Sequence, residues 1–133
     1  MKVSIRSQYG LQAMMYLVKS AKISPLTIIA EKENIPFDYL GKIMIKLKKA
    51  GLIKAKRGSR GGYFLAKSSK KIKIGDIIKV LEGEISLVRC LSERNYYCPR
   101  QKICKTRKIW KKLKDSLDFT LNSITLADLV KKK

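Results

Sequence analysis

Cys90, Cys98 and Cys104 are the only cysteines in the chain and fall within 15 residues, with seven and five residues between them. The thiolate, not the thiol, is the nucleophile and metal ligand, and neighbouring positive charge favours it. Arg89, Arg94, Arg100, Lys102, Lys105, Arg107 and Lys108 supply that charge in the same stretch. Clustered thiolates ligate soft metals, chiefly zinc or iron–sulfur clusters, or act as redox sensors. Structural zinc usually takes four ligands with close Cys-x-x-Cys pairs, and this sequence has no such pair and no histidine. An iron–sulfur cluster also takes four ligands, so one would come from another residue type or another subunit. The plain alternative is three ordinary thiols in a basic loop. Such tight clustering weighs toward metal or redox chemistry, and an odd number of cysteines fits poorly with a disulfide framework.

A second chemical stretch is Arg57-Gly58-Ser59-Arg60-Gly61-Gly62. Three glycines in six residues permit a tight reversal and close backbone approach to a ligand, while the arginines supply charge. Short strand candidates flank it, Leu52-Ile53-Lys54-Ala55-Lys56 before and Tyr63-Phe64-Leu65-Ala66 after. The stretch therefore reads as a hairpin with arginines at its tip.

The elements before the hairpin decide what it serves. From Ser4 to Ala21, apolar residues at Tyr9, Ala13, Met14, Leu17, Val18 and Ala21 recur at three and four, one face of a helix. Ser24-Pro25 reads as an N-cap followed by Pro at the first helical position, opening a short helix from Leu26 to Glu33 that stops at Asn34. After Ile35-Pro36, the stripe Leu40, Ile43, Leu47 and Ala50 predicts a third helix, with Gly51 at its positive-φ end. Two short helices joined by a tight turn form a helix-turn-helix. The second carries Lys42, Lys46 and Lys49 away from its apolar stripe. Lysines usually mark only a solvated face, but followed by an Arg-Gly hairpin they complete a winged helix-turn-helix. In that arrangement the third helix enters the major groove of duplex DNA and the wing reaches an adjacent minor groove or the backbone. The expected contacts are Tyr39, Lys42 and Lys46 on the helix, with Arg57, Ser59, Arg60 and Gly61 in the wing.

Charge agrees with this. The 133 residues hold 31 Lys and Arg against 10 Asp and Glu, a formal charge of +21, spread over both halves of the chain. Such a field attracts polyanions. No apolar run approaches the roughly 20 residues a membrane-spanning helix needs, and the first residues lack the apolar stretch of a secretory signal, so the expected compartment is the cytoplasm and a membrane role is not expected. An enzyme is not expected either: there is no histidine, no nucleophile–base pair and no phosphate-cradling Gly-rich loop.

Beyond the connector Lys67 to Lys71, the residues Ile74, Ile77, Ile78 and Leu81 predict a helix ending at Gly83. Residues 84–101 read as irregular. A long helix is predicted from Ile103 to about Leu121, with Ile103, Trp110, Leu113, Leu117 and Leu121 on one face, and Thr125 and Asp128 resemble a capping box on a last short helix. The long helix has no obvious partner within the chain, and its apolar stripe would be costly if exposed. Pairing with its twin would bury it and present two recognition helices to a palindromic operator. The fold expected is mainly α with a small β-hairpin wing, divided into a DNA-binding domain (1–83), a cysteine-containing sensor loop (84–104) and a dimerisation helix with a C-terminal helix (105–133).

These residues carry a resemblance. Ser7-Gln8-Tyr9-Gly10-Leu11-Gln12-Ala13, Ile35-Pro36-Phe37-Asp38-Tyr39-Leu40, Leu47-Lys48-Lys49-Ala50-Gly51-Leu52-Ile53 and Arg57-Gly58-Ser59-Arg60-Gly61-Gly62-Tyr63 resemble the BadM/Rrf-type winged helix-turn-helix regulators, the IscR/NsrR/CymR-like family. Leu81-Glu82-Gly83 and Thr125-Leu126-Ala127-Asp128-Leu129 extend the likeness over nearly the whole chain. The resemblance implies a homodimeric transcription regulator, a repressor, whose long helices pair about a twofold axis. It further implies an iron–sulfur cluster (2Fe–2S or 4Fe–4S) on Cys90, Cys98 and Cys104 that tunes operator binding to iron–sulfur, redox or nitric oxide status. The sequence departs from the pattern at the fourth ligand. Arg107 stands where IscR-like members have histidine, and Gln8 stands where NsrR-like members have an acidic residue; Glu84 and Glu93 are other candidates. Gly41 likewise replaces a base-reading glutamate of IscR. The alternatives are a metal-free regulator of the same fold, switched by thiol oxidation or a protein partner, and an RNA- or ribosome-associated basic winged-helix protein.

Overall fold

The computed structural model describes residues 2–92, 99–100 and 103–131. Helix α1 (Ile5–Ser20) begins at Ser4, whose hydroxyl accepts from the Ser7 N–H, and ends at Ala21 in the left-handed conformation. Helix α2 (Leu26–Glu33) is followed by Asn34, also left-handed, which turns the chain sharply into α3 (Phe37–Lys49). Ser24 does not cap α2, as its sequence position before proline predicts. Pro25 is the capping position, and Ser24 instead exchanges two backbone hydrogen bonds with Tyr63, its N–H donating at 2.9 Å and its carbonyl accepting at 2.8 Å. A long-range strand contact has taken the residue that a local helix rule claims.

Gly51 has φ of 79°, as a residue just past a helix end requires. Strands β1 (Ile53–Lys56) and β2 (Gly62–Leu65) then pair antiparallel, Ile53 opposite Leu65 and Lys56 opposite Gly62. A short 3-10 turn (Ser69–Lys71) leads into α4 (Ile74–Glu82), which ends at Gly83 with φ of 82°. A four-residue helix, α5 (Arg89–Ser92), interrupts the stretch read as irregular. Helix α6 (Arg107–Ser123) starts four residues later than the sequence pattern predicts, leaving Ile103 outside it and 72% exposed. The last helix, α7 (Leu126–Val130), has the expected capping box: Thr125 Oγ1 accepts from the Asp128 N–H, and Asp128 Oδ2 accepts from the Thr125 N–H.

One core unites these elements. Met14 and Leu17 of α1, Ile29 of α2, Leu40, Ile43, Met44 and Leu47 of α3, Ile53 of β1 and Ile77 and Leu81 of α4 are all buried. Leu126 of α7 is buried with them, and its N–H donates to the Ile72 carbonyl at 2.7 Å. The chain end is thereby tied back onto the winged core. Helix α6 packs along α4, so it has an intrachain partner that its sequence did not reveal. That partner covers little: none of its 17 residues is buried, and Ile109 and Phe119 are 59% and 76% exposed.

Candidate DNA interface and cysteine segment

Helix α3 takes its orientation from its stripe. Leu40, Ile43, Met44 and Leu47 are buried, so helical geometry turns Asp38, Lys42, Ile45 and Lys49 outward, with Tyr39 and Lys46 beside them; all six are exposed. Tyr39 is held by an edge-on ring contact with Tyr9 of α1, at 5.7 Å between centroids and 84° between planes. The expected helix contacts Tyr39, Lys42 and Lys46 thus share one side of α3.

They are joined there by a residue the sequence did not single out. Arg6 of α1 lines a cavity of about 150 Å³ with Tyr39, Lys42, Ile43 and Lys46. Its Nε is buried and, among the described residues, has no hydrogen-bond partner. The signal was present as a periodicity, since Arg6 lies one turn before Tyr9, but it required knowing which face of α1 meets α3.

In the hairpin, Arg57, Gly58, Ser59 and Arg60 are exposed and Gly61 is half-buried. The Gly61 N–H donates to the Gly58 carbonyl at 3.0 Å, closing the turn, and a Cβ on Gly61 would overlap the Lys56 carbonyl oxygen. The glycine is required by the turn itself. Beside it the two arginines stand exposed on a short reversal.

At the same N-terminal end of α1, Glu82 closes a second junction. Its Oε1 accepts from the Ser4 N–H and from the hydroxyl of buried Ser7, each at 2.8 Å. Hydrogen bonds from the Ser4 side chain, the Ser7 hydroxyl and the Ser4 N–H, with the charge of Arg6, hold this carboxyl below the usual glutamate range. Glu82 is the last residue of α4, immediately before the chain that leads to Cys90, so the start of α1 is fastened to the root of the cysteine segment. A carboxyl with a lowered pKa contributes stability fully above the ordinary value of 4.5 and loses it as pH falls through the lower, folded value. Glu82→Ala, which strips the buried Ser7 hydroxyl of its acceptor, is expected to cost about 1–2 kcal/mol at neutral pH. Urea unfolding of the two proteins should converge in strong acid. A gap that persists there means the carboxylate is not what holds the junction.

Of the three cysteines, Cys98 lies outside the described residues, as does Glu93. Cys90 and Cys104 are half-buried free thiols. Cys104 Sγ lies 3.3 Å from Thr106 Oγ1, and that hydroxyl, backbone N–H groups of Arg107 and Thr106 and the charge of Arg100 push its thiol toward the thiolate. The donor chemistry of Cys104 therefore suits a soft metal. Among the described residues no group of three or more Cys, Asp or Glu stands ready to hold a metal ion. Arg107, at the position of the expected fourth ligand, begins α6, and its guanidinium offers N–H donors and no acceptor, so it cannot serve as one.

The hairpin packed behind a helix-turn-helix defines this molecule as a winged helix-turn-helix protein, of mostly helical construction with one two-stranded wing. The profile of the Rrf2 family, described as "Iron-dependent Transcriptional regulator", matches residues 3–132. The chain is 37% identical over 133 residues to protein rrf2 of Nitratidesulfovibrio vulgaris, covering 98% of this chain and 88% of that one. Among solved structures it is similar to T. potens IscR, with a TM-score of 0.78 and 38% identity over 98% of this chain and 86% of that one. It is also similar to CymR, the global cysteine regulator of B. subtilis, with a TM-score of 0.80 and 37% identity over 97% and 95% of the two chains. The chain belongs to the Rrf2 family of transcriptional regulators. It is a DNA-binding regulator, not an enzyme, and among the described residues no helix is long and apolar enough to cross a membrane.

Proposed function

We propose that this protein is a homodimeric, sequence-specific repressor that binds a palindromic operator through α3 and the hairpin and adjusts that binding through Cys90, Cys98 and Cys104. The observation that carries the reading is the exposed side of α3, where Tyr39, Lys42 and Lys46 stand together beside a fully buried stripe. The lysines neutralise phosphates, Tyr39 is braced by Tyr9 for a groove contact, and Arg57 and Arg60 reach from the wing to a neighbouring groove. The dimer is supported by α6, a long helix with no buried residue and two large apolar side chains in solvent. Pairing of α6 with its twin covers them and sets two copies of α3 about a twofold axis.

In this reading the three cysteines hold an iron–sulfur cluster, which when bound supplies a centre responsive to electrons, oxygen and nitric oxide. The chain's own residues prepare for it: Thr106 and Arg100 favour the Cys104 thiolate, and Glu82 fixes the root of the segment to α1. A second reading, a metal-free switch by thiol oxidation, is favoured by the missing fourth ligand at Arg107 and by the similarity to CymR.

Anaerobic purification followed by a visible absorption spectrum, with iron and acid-labile sulfide counted per dimer, separates the two. A brown protein that turns colourless on Cys104→Ala supports the cluster. A colourless, iron-free protein that still binds its operator after attempted reconstitution moves the function to thiol control. For the DNA reading, Arg57→Ala should weaken operator binding by about 1–3 kcal/mol if it contacts a base edge. An equal loss on random duplex reduces Arg57 to a phosphate contact, and preference for structured RNA over duplex DNA overturns the operator-binding reading.

A further inference from the structure

The outermost line of α3 runs Asp38, Lys42, Ile45, Lys49, spaced by four, three and four residues and opposite the buried stripe. Three of the four are charged. Ile45, at the middle of the line, is 50% exposed. Single apolar side chains on a surface are ordinary. This one, however, is β-branched, which disfavours an exposed helix position, and it is centred on the face with the densest exposed lysines.

A second observation lies one turn earlier. Gly41 sits inside α3, where glycine weakens a helix, yet packing does not ask for it: a Cβ there would meet only Leu26 Cδ2 at 3.6 Å, an ordinary contact. Side chains on a helix lean toward its N-terminus, so residue 45 covers the surface over residue 41. Ile45 thus sets an apolar side chain over the bare backbone at Gly41, on a face otherwise carrying charge.

The apolar group that the major groove offers is the C5-methyl of thymine, which distinguishes it from every other base edge there. We infer that Ile45, over Gly41, reads thymine through that methyl group, while Lys42, Lys46 and Lys49 hold the helix against the phosphates. The inference rests on the DNA-binding reading and deepens it: α3 selects part of its operator by apolar contact.

Full-length protein is first used to select its preferred site from a pool of random duplexes. Each thymine of that site is then replaced by deoxyuridine, which removes the methyl group and leaves every hydrogen-bonding atom, and affinity is read by fluorescence anisotropy. Loss of one methyl contact should weaken wild-type binding about fourfold at one thymine per half-site. Ile45→Ala should bind the thymine site more weakly and lose that sensitivity to deoxyuridine. Because residue 45 is exposed and Ala favours helix, the variant should unfold at the wild-type urea midpoint, which separates contact loss from misfolding. Indifference to deoxyuridine at every thymine, or an unchanged sensitivity in Ile45→Ala, overturns the inference while leaving DNA binding intact. Failure to enrich any sequence overturns the sequence-specific reading and the inference together.

Discussion

Operator affinity should fall by about 10³–10⁵-fold between 50 and 200 mM salt if six to ten phosphates are neutralised per dimer. That range follows from the exposed cations. Lys42, Lys46 and Lys49 on α3 and Arg57 and Arg60 at the wing tip give each protomer three to five candidates, depending on how many read bases instead. Each contact releases condensed counterions, so the logarithm of the binding constant should decline linearly against the logarithm of salt, with a slope near −0.9 per phosphate. Lys46→Ala should reduce that slope by about one per protomer and weaken operator and random duplex alike. Affinity that is flat with salt, despite a formal charge of +21, would mean that this surface does not meet a polyanion.

Gly62→Ala should be among the most damaging single-methyl substitutions in the wing, with Gly61→Ala, whose Cβ would overlap the Lys56 carbonyl oxygen. A Cβ at Gly62 would overlap the carbonyl carbon and oxygen of Ser24, and that backbone is itself fixed by the two hydrogen bonds between Ser24 and Tyr63. Neither side can yield without opening the seam between the hairpin and the loop ahead of α2. The expected cost is about 3 kcal/mol, read as a lower urea midpoint with unchanged slope. The displaced wing should also lose its share of operator affinity. Gly58 has φ of 109°, but a methyl group on it would meet nothing within 4 Å, so Gly58→Ala should disturb the protein less. Equal stability of the Gly62 and Gly58 variants would show that the close approach to Ser24 is not what the glycine serves.

Much of this protein is legible in local pattern. The period of Leu40, Ile43 and Leu47 placed α3 and its exposed lysines, Gly51 marked the helix end, and Arg57 to Gly62 declared a hairpin, because each depends on backbone preferences within a few residues. The capping box of Thr125 and Asp128 is equally local and is present as expected. Ser24 shows the limit. Its position before proline satisfies a capping rule, but a partner 39 residues away takes its backbone, and nothing near it in sequence announces Tyr63. The pairing of Arg6 with α3, the grip of Glu82 on Ser4 and Ser7 and the seating of α6 along α4 are long-range in the same way.

The sequence by itself determined the chemistry available: a charge that favours nucleic acid, a winged helix-turn-helix with cations on its exposed parts, and three thiols without a histidine to complete a metal site. Those properties reside in composition, spacing and helical period, and they survive whatever packing follows. Only the tertiary structure decided which side of α1 braces α3, which carboxylate fastens the cysteine segment to the core, and which apolar side chains remain in solvent. Such choices depend on how buried faces fit one another, and residues brought together from distant parts of the chain carry no local mark of it.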